Sequence, residues 1–122
     1  MPVTRFSNLP LADQSRRWSA AAAEKRVRKW AGAEDAPNAK YRRAHLWYET
    51  GRANEFTGYK LPIADVVDGE LKAVPRAIIS AAAVVDGARG GVDVPDSDRS
   101  KLRRQLDRYY DKMGETAPWK SR

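Results

Sequence analysis

The side chains able to do chemistry in this sequence are mostly cations and aromatic rings. Lys25, Arg26, Arg28 and Lys29 crowd one short stretch, and Arg16, Arg17, Arg42 and Arg43 flank it. Such a set can follow a phosphate backbone through charge-assisted hydrogen bonds, and it equally suits the solvated face of a helix. Trp18, Trp30, Tyr41, Trp47, Tyr48, Phe56 and Tyr59 are interleaved with these cations. Rings in that arrangement can stack single-stranded bases, or they can close a small core, because the rest of the chain is short of large side chains. No zinc finger, RNP motif or heptad-bearing basic region is present, so nothing marks a reader of base edges. Trp119 lies in a polar tail after Pro118, where it can fold back on the domain or meet a partner.

Catalysis finds little material. The chain has no cysteine and one histidine, His45, which sits in the apolar run His45 to Tyr48 without an identifiable nucleophile. It reads as a structural residue rather than a general base, and the expectation is a protein that is not an enzyme. The glycine-rich turn from Asp86 to Asp93 invites comparison with phosphate-cradling loops, but it lacks the Gly-Lys-Ser/Thr ending and does not follow a strand. Asp93, Asp96 and Asp98 can hold a hard cation, yet their spacing is not that of an EF-hand, and helix capping together with the helix dipole explains them more simply. No cofactor and no metal are expected.

These side chains need a scaffold, and 122 residues supply one domain. A chain of this length buries roughly two thirds of the surface its unfolded form exposes, which 42% hydrophobic residues can fill without disulfides. The formal charge of +7 favours acidic partners. Residues 1 to 60 hold twelve basic and six acidic side chains, against eleven and ten in residues 61 to 122, so the basic surface belongs to the N-terminal half. No run approaches a membrane span and the start lacks a signal-peptide apolar stretch, so no membrane contact is expected.

Residues 1–17, with Arg5, Phe6, Arg16 and Arg17, read as an extended arm of the kind that docks on a partner. Ser19 caps a first helix whose apolar face is Ala20, Ala23, Val27, Trp30 and Ala31, and Gly32 stops it. A second, short helix is expected after Asp35, with Pro37 in its first turn, ending near Arg43 or Ala44. His45 to Tyr48 has strand character, and Gly51 to Gly58 reads as a polar loop. Ile63 to Val67 and Glu70 to Val74 flank Asp68-Gly69, the preferred dipeptide of a type I′ hairpin turn. A helix from about Arg76 to Val85 is apolar nearly all round, which predicts deep burial at the centre of the core. The last helix runs from about Ser97 to Met113, stopped by Gly114, with Leu102, Leu106, Tyr109 or Tyr110 and Met113 as its buried stripe. Residues 115–122 form a tail, and residues 18–114 are the single domain. The fold class is α+β: a hairpin plus one further short strand, packed by three to four helices.

The run from Tyr59 to Arg76 (YKLPIADVVDGELKAVPR), continued by Gly87 to Pro95 (GARGGVDVP) and Arg108 to Gly114 (RYYDKMG), resembles a small domain encoded by tailed bacteriophages and prophages. Ala36 to Arg43 and Leu46 to Tyr48 fit the same pattern, so the resemblance covers most of the chain. Domains of that family occur alone or attached to other phage head proteins, including capsid-maturation proteases. The resemblance implies a head-associated structural role and no catalytic motif. The expected function is a minor capsid subunit that decorates or stabilises the head by binding the major capsid protein or another head protein. It would reside in the virion, after synthesis in the bacterial cytoplasm. The alternative is a basic phage protein contacting DNA phosphates non-specifically, and a third reading is a module that binds a host protein. The partner-binding candidates are Arg5, Phe6, Arg16, Arg17, Lys25, Arg26, Arg28, Lys29, Arg42, Arg43 and Trp119. The arm and the Trp119 tail are expected to lie on neighbouring subunits, so that removing residues 1–17 would weaken capsid association and leave the fold.

Overall fold

The computed structural model describes residues 3–120, and the side chain of Arg89 also falls outside the description. The outermost residues of the expected arm and tail, 1–2 and 121–122, therefore lie outside the described residues. Within them, local signals set most of the helices. The Ser19 hydroxyl accepts a hydrogen bond from the Ala22 N–H at 3.3 Å and opens α1 (Ala20–Ala31), which Gly32 closes with φ of 67°. Helix α3 (Pro75–Val85) starts on its proline, and α4 (Asp96–Met113) ends on Gly114 with φ of 71°. The second helix departs from expectation. Asn38, not Asp35, is the cap, and α2 is only the single turn Ala39–Arg42. The Asn38 carboxamide accepts from the Tyr41 N–H at 2.9 Å and donates to the Ala31 carbonyl at 2.7 Å. It thus finishes one helix while starting the next, which Asp35 cannot do because a carboxylate has no donor.

The fold is α+β, with four helices and two two-stranded antiparallel sheets. Strand β1 (His45–Tyr48) pairs with β2 (Tyr59–Pro62), and β3 (Ala64–Val67) pairs with β4 (Glu70–Ala73). The hairpin turn is the expected one: Asp68 and Gly69 both have positive φ, 53° and 78°. Strand β2 was not anticipated and makes two further strands rather than one. It joins β1 through two 3₁₀ turns, Thr50–Arg52 and Phe56–Gly58, in the segment read as a polar loop.

The N-terminal segment corrects the arm reading. It is extended, as expected, but it is stitched to its own domain along both sheets. Thr4 N–H reaches the Leu46 carbonyl at 2.9 Å and Val3 bridges Trp47 beside β1. Farther on, Ala12 N–H and the Pro10 carbonyl exchange 2.8 Å bonds with Ala73 of β4. Leu9 is only 1% exposed, and its N–H donates to the Tyr109 hydroxyl at 3.2 Å. The reason is the edges: each sheet has two strands, so its outer backbone groups need partners, and the arm supplies them. The tail likewise folds back. Ala117 is buried, and a 3₁₀ turn at Pro118–Lys120 lays Trp119 against α4.

The core gathers Leu9, Val27, Tyr41, Ile63, Ile78 and Leu106 between α1, the sheets and the α3–α4 pair. Two buried polar groups fasten these layers. Trp47 of β1 donates from Nε1 to Asp98 of α4 at 3.1 Å, so Asp98 ties the helix to the strand instead of supplying the expected cap. The α4 N-cap is Pro95, without a side-chain bond, while Asp96 and Asp98 face the positive end of the helix dipole. Among the described residues no group of three His, Asp or Glu side chains is placed to hold a metal ion, and no helix is long and apolar enough to cross a membrane.

Candidate interaction surfaces

Three of the nine candidate cations, Arg16, Arg26 and Arg28, are matched to carboxylates of the same chain. Asp65 of β3 is buried, with a side chain 2% exposed. Arg26 donates to it from Nε at 2.8 Å and Nη2 at 2.7 Å, Arg16 from Nη2 at 3.1 Å, and the Val66 N–H at 2.7 Å. Burial pushes the Asp65 carboxyl up, but these hydrogen bonds outweigh it and hold the group below its ordinary value. Arg16 and Arg26 are thus the counter-charges of a buried carboxylate, which corrects their reading as free partner contacts. Alternation along β3 predicts one inward and one outward side chain per pair, and the sequence alone does not show that Asp65 takes an inward place.

Arg28 is also engaged. It donates to Glu24 one turn back at 3.1 Å and lies 3.5 Å above the Phe56 ring. Glu24 accepts a further hydrogen bond from the Tyr41 hydroxyl, and its other oxygen is 3.6 Å from Nε2 of His45. Partial burial raises the Glu24 pKa, yet His45, Tyr41 and Arg28 together hold it down to about 2. The Tyr41 hydroxyl is pushed up by burial and by the bond to that carboxylate. His45 is packed between the Tyr41 and Tyr59 rings, with Nδ1 3.2 Å from the Tyr41 carbonyl. The aromatic rings expected as either base-stackers or core are, for Tyr41, Trp47 and Tyr59, core.

A different set of cations converges on open surface. Arg5 and Phe6 of the N-terminal segment and Ala39, Arg42 and Arg43 of α2 and its end line one cleft of about 560 Å³. Arg42 rests over the Tyr48 ring at 4.5 Å and donates to the Tyr59 hydroxyl at 3.4 Å, so its head is held in place without a carboxylate. Phe6 packs on Tyr109, ring centroids 5.0 Å apart, and is itself covered by Arg108 at 4.0 Å. Burial raises the Tyr109 hydroxyl, opposed by the hydrogen bond from the Leu9 N–H and by the positive charges of Arg43 and Arg108. Arg108 was missed as a site residue. On the sequence it is one of several outward cations of α4, and only the docked N-terminal segment selects it.

Arg17 and Lys25 are exposed, and Lys29 shares a shallow depression with Arg26, Trp30 and Val66. These do not join the cleft. Trp119 donates from Nε1 to Asp107 at 2.9 Å and meets Tyr110 edge-on, with Arg103 over its ring, so of its two readings the packed one holds.

A second concavity is apolar. Leu11, Pro75, Ile79, Tyr110 and Met113 line a groove of about 640 Å³ between the N-terminal segment, α3 and α4, with Lys112 and Glu115 at its margin. Ile79 is 50% exposed, alone among the large hydrophobic side chains described. This corrects the expectation of an α3 buried all round: Ala77, Ile78, Ala81, Ala82 and Val85 are buried, whereas Arg76 and Ile79 are exposed. The sequence signal was present in the isoleucine pair at 78 and 79, since only one of two adjacent helix positions can face one core.

No family model, characterised protein or solved structure matches this chain.

Proposed function

We propose that the protein is a structural subunit of a tailed-bacteriophage head, a minor component that binds the major capsid protein or another head protein as a small stabilising or decorating subunit. It is made in the host cytoplasm and carried in the virion. The observation that supports this reading is the groove around Ile79. A half-exposed isoleucine walled by Pro75, Tyr110 and Met113 is a place where a partner's apolar anchor gains burial at little ordering cost. Pro75, Tyr110 and Met113 belong to the runs that resemble the phage domain. Neither terminal segment is assigned to a neighbouring subunit, since both are used to complete their own domain. The reading contains no catalytic step, and the single histidine is occupied by Glu24 and by two tyrosine rings.

Mass spectrometry of particles purified from the encoding phage tests the proposal, with the wild-type chain and an Ile79→Asp variant compared. The expected result is wild-type protein in fixed ratio to the major capsid protein, and loss of the variant from particles although its circular dichroism is unchanged. Absence of the wild-type chain from particles made in cells that express it overturns the reading.

A further inference from the structure

We infer that the cleft between the N-terminal segment and α2 binds the phosphodiester backbone of nucleic acid, through Arg5, Arg42, Arg43 and Arg108. This goes beyond the head-subunit reading and does not depend on it. Arg5, Arg42 and Arg43 line the cleft, Arg108 lies over the ring of Phe6, which lines it too, and none of the four has a salt-bridge partner among the described residues. That separates them from Arg16, Arg26, Arg28, Arg52 and Arg99, each of which is matched to an Asp or Glu. Arg17, Arg76, Arg103 and Arg104 also have no salt bridge among the described residues, but none of them lines this cleft, and a concavity where unmatched guanidinium groups gather presents a surface potential an anion can lower.

The geometry favours phosphate over a carboxylate-bearing protein face. The cleft cations are all arginine, whose planar fork pairs two phosphate oxygens at once. Two of them are held ready by aromatic rings, Arg42 by Tyr48 and Arg108 by Phe6, so little side-chain freedom is lost on binding. Protein interfaces deplete charge at their centres, whereas nucleic-acid interfaces concentrate positive charge. The cleft has that second composition, and the contacts it offers are to backbone rather than to base edges, so binding is independent of sequence.

Fluorescence anisotropy with a fluorescein-labelled, mixed-sequence DNA duplex tests this. Four phosphate contacts give a slope of log affinity against log salt of about −3.6, so affinity falls roughly a hundredfold between about 50 and 200 mM salt. The double variant Arg5→Gln/Arg43→Gln changes two exposed side chains, keeps the fold, weakens binding by roughly tenfold or more and halves the slope to about −1.8. A control, Arg17→Gln/Lys25→Gln, removes equal charge outside the cleft and leaves the slope within about 0.5 of wild type. The inference is overturned if the wild-type chain does not bind the duplex, or if both double variants lower the slope equally. It is also overturned if polyglutamate displaces the duplex as effectively, per unit charge, as unlabelled DNA, because the cleft would then be a site for acidic protein.

Discussion

Replacing Arg16 and Arg26 together by alanine leaves the buried Asp65 carboxylate with one hydrogen-bond donor, the Val66 N–H at 2.7 Å, in place of four bonds. Each hydrogen bond to a charged group contributes about 1.5–3 kcal/mol, and stranding a fully buried ion costs about 3–5 kcal/mol. The arginine side chains are 31% and 49% exposed, so water replaces part of what they supplied. The expected loss is therefore about 2–4 kcal/mol. Replacing Asp65 by alanine instead removes the ion that needs matching and lets both guanidinium heads turn to solvent. What remains is a small cavity and the lost bond to Val66, about 1–2 kcal/mol. With a urea slope of about 1.5 kcal/mol per molar, the double arginine variant should shift the denaturation midpoint down by roughly 2 M and Asp65→Ala by roughly 1 M. The triple variant should be more stable than the arginine double variant, since it removes the stranded charge. If Asp65→Ala costs as much as the double arginine variant, or the triple variant is the weakest of all, then Arg16 and Arg26 are not there to match a buried carboxylate, and their return to the list of partner contacts is warranted.

Leu9→Ala, at a position 1% exposed, should lower stability by about 2–5 kcal/mol in the same urea titration, and removal of residues 1–17 should prevent cooperative unfolding rather than release a dispensable arm. A truncated chain with an unchanged midpoint would show that the segment is an arm after all. Glu24 should govern part of the acid limb: its folded value of about 2 lies below the ordinary value of 4.5, so its contribution is complete above the latter and drains as pH falls toward the former. Glu24→Gln should flatten the fall in stability between those two values by on the order of 1–3 kcal/mol, and an unchanged acid limb in chemical denaturation at stepped pH would contradict the Glu24–Tyr41–His45 arrangement.

The features legible in the amino-acid order are those that short-range chemistry controls. Ser19 and Gly32 bound α1, Pro75 opens α3, Gly114 ends α4, and Asp68-Gly69 turns the hairpin, because each acts through its own φ or through a hydrogen bond to a neighbour a few residues away. The α+β class follows from those signals. The tertiary structure decided the rest, and the rest rests on contacts that leave no local trace. Leu9 binds Tyr109 across a hundred residues, Lys112 reaches back to the Leu9 carbonyl at 2.6 Å, and the Gln105 carboxamide donates to the carbonyl of Thr4. A sequence of polar and apolar residues without periodicity looks the same whether it lies on its own domain or on a neighbour, so the arm was misplaced. The same is true of charge. Arg16, Arg26, Arg5 and Arg43 are alike in the sequence, yet a buried aspartate claims the first two, while the docked N-terminal segment sets Arg5 in one cleft with Arg43. A cation becomes structural or available according to which side chain lies within hydrogen-bonding distance, and that distance exists only once the chain has folded.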